Sequence, residues 1–304
     1  MTKKLILPLT FIFLISCATS GNKESSKKLH VVTTTGMLYD AVLNITGDKM
    51  TCEAIMGPGV DPHLYKATQG DLTRLKNGQL VVYNGIFLEG KMSDILKKLG
   101  ERKPTLAAAE SIPDSLLLPS VNYEDSYDPH VWFDVKRWKY VVSEIGNAIV
   151  SLDTGNAKYY KENTSKYLAK LDSLDKYVKD RLSELSSSQR VLITAHDAFG
   201  YFGEAYQIRV EALQGISTVS DFGLRDIANL IDLIIENQIK AIFVETSVSE
   251  KSINAVIKGC QEKGHNVKIG GSLYSDAMGE VGTEEGTYIG MFKKNVDTIV
   301  DALK

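Results

Sequence analysis

Between Ala157 and Leu185 runs a long helical pattern rich in Lys, Leu, Glu, Asp and Tyr, with neither Pro nor Gly inside it. At ~1.5 Å per residue such a helix is about 40 Å long, roughly the height of a whole domain. On either side of it, short β-branched runs alternate with amphipathic stretches. That alternation builds βαβ units and a mainly parallel sheet. The expected class is therefore α/β: two lobes, each a mainly parallel sheet flanked by helices, joined by one long rigid helix. With 304 residues, each lobe is long enough to own a core.

In the first half, strands are expected over 29–35, 50–56, 79–83 and 105–109, and helices from Gly36, over 68–76, 91–99 and 134–150. The first helix puts Met37, Leu38, Ala41, Val42 and Ile45 on one face. In the second half, strands are expected over 190–194, 209–213, 241–244 and, briefly, 267–269. Helices follow up to Tyr206, over 224–236 and 252–262, and from about Glu284 to the end. Tyr159, Tyr160, Tyr167 and Tyr177 fall near helical spacing on the connector and read as packing residues.

Four polar breaks in this frame carry metal-binding side chains. Gly57-Pro58-Gly59-Val60-Asp61-Pro62-His63 is a loop with a stiff path, since Pro and Gly leave its backbone few alternatives. Asp-Pro-His returns at Asp128-Pro129-His130. His196 opens a polar break in an apolar run, and Asp276 lies in a glycine- and serine-bearing loop beginning at Gly270. Each falls at a strand end or in the loop after it, where open α/β sheets collect ligands. Three imidazoles and a carboxylate suit Zn²⁺ and accept Mn²⁺, and with two donors from each half the ion sits between the lobes. Asp197 and Asp221 are alternative carboxylates. His30, inside a strand, reads as structural, and His265, between Gly264 and Asn266, as an exposed turn residue.

The first residues form a leader. Lys3 and Lys4 precede an apolar run to Ile15 that is too short to span a bilayer. Leu14-Ile15-Ser16-Cys17 resembles the bacterial lipobox, which makes Cys17 the expected lipidation site. Residues 18–28 are polar and read as a tether with a reach of about 20 Å. Of the remaining cysteines, Cys52 and Cys260 lie in different halves and read as buried thiols. The formal net charge of −3 argues against nucleic acid as a partner. No glycine pattern follows a strand in the manner of a nucleotide loop.

The order of motifs resembles the TroA-like zinc/manganese solute-binding lipoproteins of bacterial ABC transporters. It is carried by MGPGVDPHLYKAT, LVVYNGIFLEGKM, DPHVWFDVKRW, TAHDAFGYF, GIST, AIFVE and GGSLYSDAMG, with EGTYIGM after them, and covers residues 29–304. The resemblance implies two α/β lobes joined by one long helix, with the metal in the interlobe cleft on His63, His130, His196 and Asp276. Manganese-dedicated relatives often place a Glu where this chain has His196, and zinc-dedicated ones often carry a His-rich acidic loop before the second Asp-Pro-His. Residues 122–127 are acidic without histidine, so both metals stay open.

The expected organisation is a signal peptide over 1–16, a lipidated tether over 17–28, an N-terminal lobe over 29–152, a connecting helix over 153–187 and a C-terminal lobe over 188–304. The expected function is an extracytoplasmic, lipid-anchored and monomeric receptor, in the periplasm or on the cell surface. It captures zinc or manganese and delivers it to an ABC permease, with that permease and its ATPase on separate chains. A secreted zinc hydrolase is the rival from the enzyme class, but a catalytic zinc usually keeps three protein ligands and an open position. A surface adhesin is the third reading.

Overall fold

The computed structural model describes residues 28–120, 126–219 and 222–304. The leader, Cys17 and Asp221 lie outside the described residues, as do residues 122–125 of the acidic loop.

The first half holds a four-stranded parallel sheet of β1 (His30–Thr33), β2 (Thr51–Ala54), β3 (Leu80–Tyr83) and β4 (Thr105–Ala107), in the order β2-β1-β3-β4. Val31 of β1 pairs with Cys52 on one side and Leu80 on the other. Val31, Val32, Val81 and Val82 are fully buried, as expected of inner strands covered on both faces. The covering helices are α1 (Gly36–Thr46), α2 (Gln69–Asn77) and α3 (Ser93–Gly100). α1 buries the predicted face. α2 starts where Thr68 and Asp71 form a reciprocal capping box.

Next come α4 (Val135–Leu152) and the long α5 (Ala157–Leu182), which ends slightly before the predicted Leu185. α5 lies against α1, α4 and the final helix, α9 (Tyr288–Leu303). Tyr167 Oη donates to Asp40 on α1 at 2.7 Å, and Tyr177 Oη to Asp297 on α9 at 2.6 Å. Arg181 reaches both Asp297 and Asp301 of α9. The connector is thus bonded to helices from both halves, and its tyrosines pack as expected.

The second half pairs β5 (Val191–His196) with β6 (Arg209–Gln214), and β7 (Ala241–Glu245) with β8 (Lys268–Leu273), all parallel, with β5 beside β7. Its helices are α6 (Gly200–Tyr206), α7 (Leu224–Glu236), α8 (Lys251–Glu262) and α9. Two expectations shift here. β8 continues through Gly270 and Gly271, which the sequence places in a loop. A Cβ on Gly270 would meet Phe243 and Ala302 at 2.8 Å, and one on Gly271 would meet Thr298 at 2.4 Å. These glycines let α9 lie directly on the strand. The closing helix begins only at Tyr288, where the Thr287 side chain caps it by accepting from the Gly290 N–H.

The largest apolar cluster is not confined to either half. It runs from Val31 through Trp138 and Leu171 to Phe292 and Val300, and smaller clusters fill the far side of each sheet. A core common to both halves and the connector resists large relative motion. Cys260 is buried and Cys52 half-buried, and both are free. Among the described residues no helix is long and apolar enough to cross a membrane.

Candidate metal centre

The four side chains singled out by sequence converge. His63, His130, His196 and Asp276 are all at most 3% exposed, and one ligand atom from each lies within 4.8 Å of all the others. His63 Nε2 and His130 Nε2 are 3.3 Å apart. Asp276 Oδ1 is 3.3 Å from His130 Nε2, and Oδ2 is 3.2 Å from His196 Nε2 and 3.7 Å from His63 Nε2. A tetrahedron of bonds of ~2.0–2.1 Å has edges of about 3.3 Å, and the shorter of these separations match that edge.

Each side chain is placed by a different device. His63 follows β2 in the Gly-Pro-Gly loop, where Gly59 takes φ +69° and Asp61 Oδ1 accepts the His63 N–H at 2.8 Å. In the second Asp-Pro-His, Asp128 Oδ1 accepts the His130 N–H at 2.9 Å and also Nδ1–H at 2.6 Å. Asn84 Nδ2 steadies the intervening peptide by donating to the Pro129 carbonyl at 3.1 Å. His196 is the last residue of β5, and Glu245, at the end of neighbouring β7, takes its N–H at 2.8 Å and its Nδ1–H through the other oxygen. Asp276 follows β8, and the carbonyl of Ser275 before it accepts Trp132 Nε1–H at 3.0 Å. With Nδ1–H engaged by a carboxylate, His130 and His196 each turn the Nε2 lone pair inward, the arrangement typical of metal-binding imidazoles.

Burial makes the cluster demanding. His196 Nε2 and both Asp276 carboxylate oxygens are buried without a hydrogen-bond partner among the described residues. Such groups are costly unless a cation satisfies them. Burial favours neutral imidazole, and with His130 and His196 nearby it lowers His63 to about 3 despite Asp276. Burial acts the same way on His130, but Asp128 and Asp276 outweigh it and raise that imidazole to about 9. His196 is likewise raised well above its ordinary value, with Glu245 and Asp276 overcoming burial. Burial opposes charge on Asp276 too, yet His196 and His130 hold it well below the usual carboxylate range. Asp276 thus pulls His130 and His196 toward the charged form against the burial that favours neutral rings.

A family model described as zinc-uptake complex component A, periplasmic, matches residues 31–302. This chain belongs to that family. It is 50% identical to the manganese-binding lipoprotein MntA of Bacillus subtilis over 96% of this chain and 95% of the relative. It is 45% identical to the zinc-binding protein TroA of Treponema pallidum, over 93% of this chain and 92% of the relative. The solved structure of the periplasmic zinc-binding protein TroA from Treponema pallidum superposes with a TM-score of 0.89 at 46% identity, covering 91% of this chain and 99% of that one. The resemblance read from the motifs and the α/β class are borne out. The family is one of metal-uptake components, which leaves the hydrolase reading without support.

Other sequence expectations divide. Asp197 is half-buried and outside the cluster. His30 is structural as expected, held by Thr51 at 2.8 Å and Glu53 at 2.9 Å. His265 is not the exposed turn residue anticipated: it is half-buried, and its Nε2 bonds the Ile239 carbonyl at 2.7 Å. His130 lies in the long connection between β4 and α4, as expected of the loop that delivers the second Asp-Pro-His. Nothing in the sequence around Glu245 marks it as a site residue, because only the adjacency of β7 to β5 brings it to His196.

Proposed function

We propose that this chain is an extracytoplasmic receptor that captures zinc or manganese on His63, His130, His196 and Asp276 and hands it to an ABC permease. The observation that carries this reading is the buried cluster itself: three imidazoles and a carboxylate within 4.8 Å, with three inward-facing atoms that have no hydrogen-bond partner among the described residues. Four protein donors leave no open coordination position of the kind a hydrolytic zinc uses. Relatives named for manganese and for zinc support either cargo, and the donor set accommodates both. The permease and its ATPase are separate chains. The receptor acts as a monomer, held at the membrane by lipid on Cys17 after removal of residues 1–16, with residues 17–28 as tether. Residues 29–152 and 188–304 form the two lobes, and 153–187 the connecting helix.

Competition titration of the purified protein against a chelator of known zinc affinity tests the site. Replacing any of His63, His130, His196 or Asp276 with Ala should lower affinity by orders of magnitude, whereas His30→Ala and His265→Ala should leave it near wild type. A ligand variant that retains wild-type affinity for both zinc and manganese would remove that residue from the site.

A further inference from the structure

The loop carrying His63 is tied to the second half of the chain through a bond that uses no candidate ligand atom. Thr218 Oγ1–H donates to Asp61 Oδ2 at 2.6 Å. The other oxygen of the same carboxylate holds the His63 N–H. On the opposite side, Gln214 Nε2–H donates to the Thr218 carbonyl at 2.7 Å, and Gln214 pairs in register with His196 across β6 and β5. A short hydrogen-bonded chain therefore connects the backbone of a first-half ligand to the strand beside a second-half ligand.

Its position differs from that of the other cross-links near the site. Trp132 Nε1–H bonds the Ser275 carbonyl, Tyr201 Oη–H the Asp128 carbonyl and Tyr288 Oη–H the Trp132 carbonyl. Trp132, Tyr201 and Tyr288 are at most 1% exposed and belong to the core that both halves share. Those bonds part only if that core opens. Asp61 and Thr218 are half-buried. The residues flanking Thr218, Ser217 and Val219, line a cavity of about 470 Å³ together with His63. His130, His196 and Asp276 do not line it. Cargo that moves through this cavity passes His63, and the bond beside it can break without disturbing the core.

We propose that Asp61 and Thr218 form a latch that holds the His63 loop closed and sets how fast bound metal leaves. The proposal rests on the metal-site reading given above. Asp61 and Thr218 act as positioning residues, through His63 and the second-half loop, and touch no metal themselves. The bond can form only when the two loops meet, so it slows departure and leaves capture by the open form unchanged. A hydrogen bond to a charged acceptor corresponds to roughly tenfold to hundredfold in a dissociation rate.

The test loads the mature protein with Zn²⁺ and follows its release into excess chelator by stopped flow. Thr218→Val keeps the shape of the side chain and removes the donor, and Thr218→Ala is the second variant without it. Both should release zinc about tenfold faster or more, while the association rate stays within about twofold of wild type. Thr218→Ser restores the hydroxyl and should return release to within about twofold. The visible spectrum of the Co²⁺-loaded Thr218→Val protein should match wild type, since no ligand changes. Release at the wild-type rate from both donorless variants overturns the latch, as does a changed cobalt spectrum. Failure of the underlying site reading looks different: the wild-type protein itself would then bind neither zinc nor cobalt stoichiometrically.

Discussion

Glu245 holds His196 twice, one carboxylate oxygen on its backbone N–H at 2.8 Å and the other on its imidazole Nδ1–H. Both residues are buried, so the ring has no freedom to turn and its Nε2 faces Asp276. Partners of this kind raise ligand basicity as well as fixing orientation, and their loss typically weakens metal binding by about 10–100-fold. Glu245→Gln should therefore lower zinc affinity within that range while leaving the metal-free fold intact. Competition titration alongside far-ultraviolet circular dichroism checks both halves of the expectation. Unchanged affinity would mean that β5 and β7 alone orient His196.

Much of the fold was legible because it rests on periodicity. The apolar face of α1 and the long breaker-free run of α5 follow directly from residue spacing. Gly270 and Gly271 misled because glycine signals both a loop and a close approach, and only the packing of α9 on β8 separates the two. The site was legible as a set of residue types, since imidazoles at breaks between elements are conspicuous. Its electrostatics were not. Asp61 and Asp128 occupy the same place in two copies of Asp-Pro-His, yet among the described bonds Asp128 alone takes an imidazole, while Asp61 reaches Thr218. That difference depends on the opposing half of the chain.

The connector is predicted to be structural core for both halves. Leu171 is fully buried on α5 within the cluster that runs from Val31 to Val300. Leu171→Ala should destabilise the protein by about 2–5 kcal/mol. Denaturant unfolding should remain one transition, with probes in both halves shifting together. Two separated transitions would show that the halves fold independently and that the shared cluster is only an interface.

Metal should stabilise the native state by mass action, because the unfolded chain has no assembled site. At free zinc a thousandfold above the dissociation constant the gain is about 4 kcal/mol. Calorimetry with and without zinc measures it. Asp276→Ala should lose most of the shift. A shift retained in that variant would place the bound ion elsewhere.

The anchor is tested apart from the site. Cys17→Ala should abolish lipid labelling and release the protein from membranes without altering its zinc affinity, because residue 17 precedes β1, which begins at His30. Stable anchoring needs more than one acyl chain, so loss of the modified residue should release nearly all of the protein. Continued partitioning into membranes would refute the lipobox assignment.

Protons separate the three imidazoles, which residue type alone would treat as equals. His63 is lowered to about 3 and is already neutral at pH 5.5. His130 is raised to about 9, and Glu245 and Asp276 raise His196 in the same direction, so both hold protons more tightly than a free imidazole. Metal must displace those two protons and none from His63. Apparent zinc affinity should therefore rise with pH by roughly a hundredfold per unit between about 5.5 and 7.5. His130→Ala or His196→Ala should reduce that to about tenfold per unit, whereas His63→Ala should weaken binding without changing the slope. Above about pH 6.5, where His63 is neutral in both states, the stability of the metal-free protein should follow the opposite course. The folded value for His130 lies above its unfolded value of ~6.5, so its contribution is full below that pH and is lost as pH rises through about 9. Chelator competition between about pH 5.5 and 7.5, and metal-free denaturation between about pH 6.5 and 9.5, measure the two trends. A wild-type slope of one proton or fewer would show that the protons around Asp276 are not where these carboxylates place them.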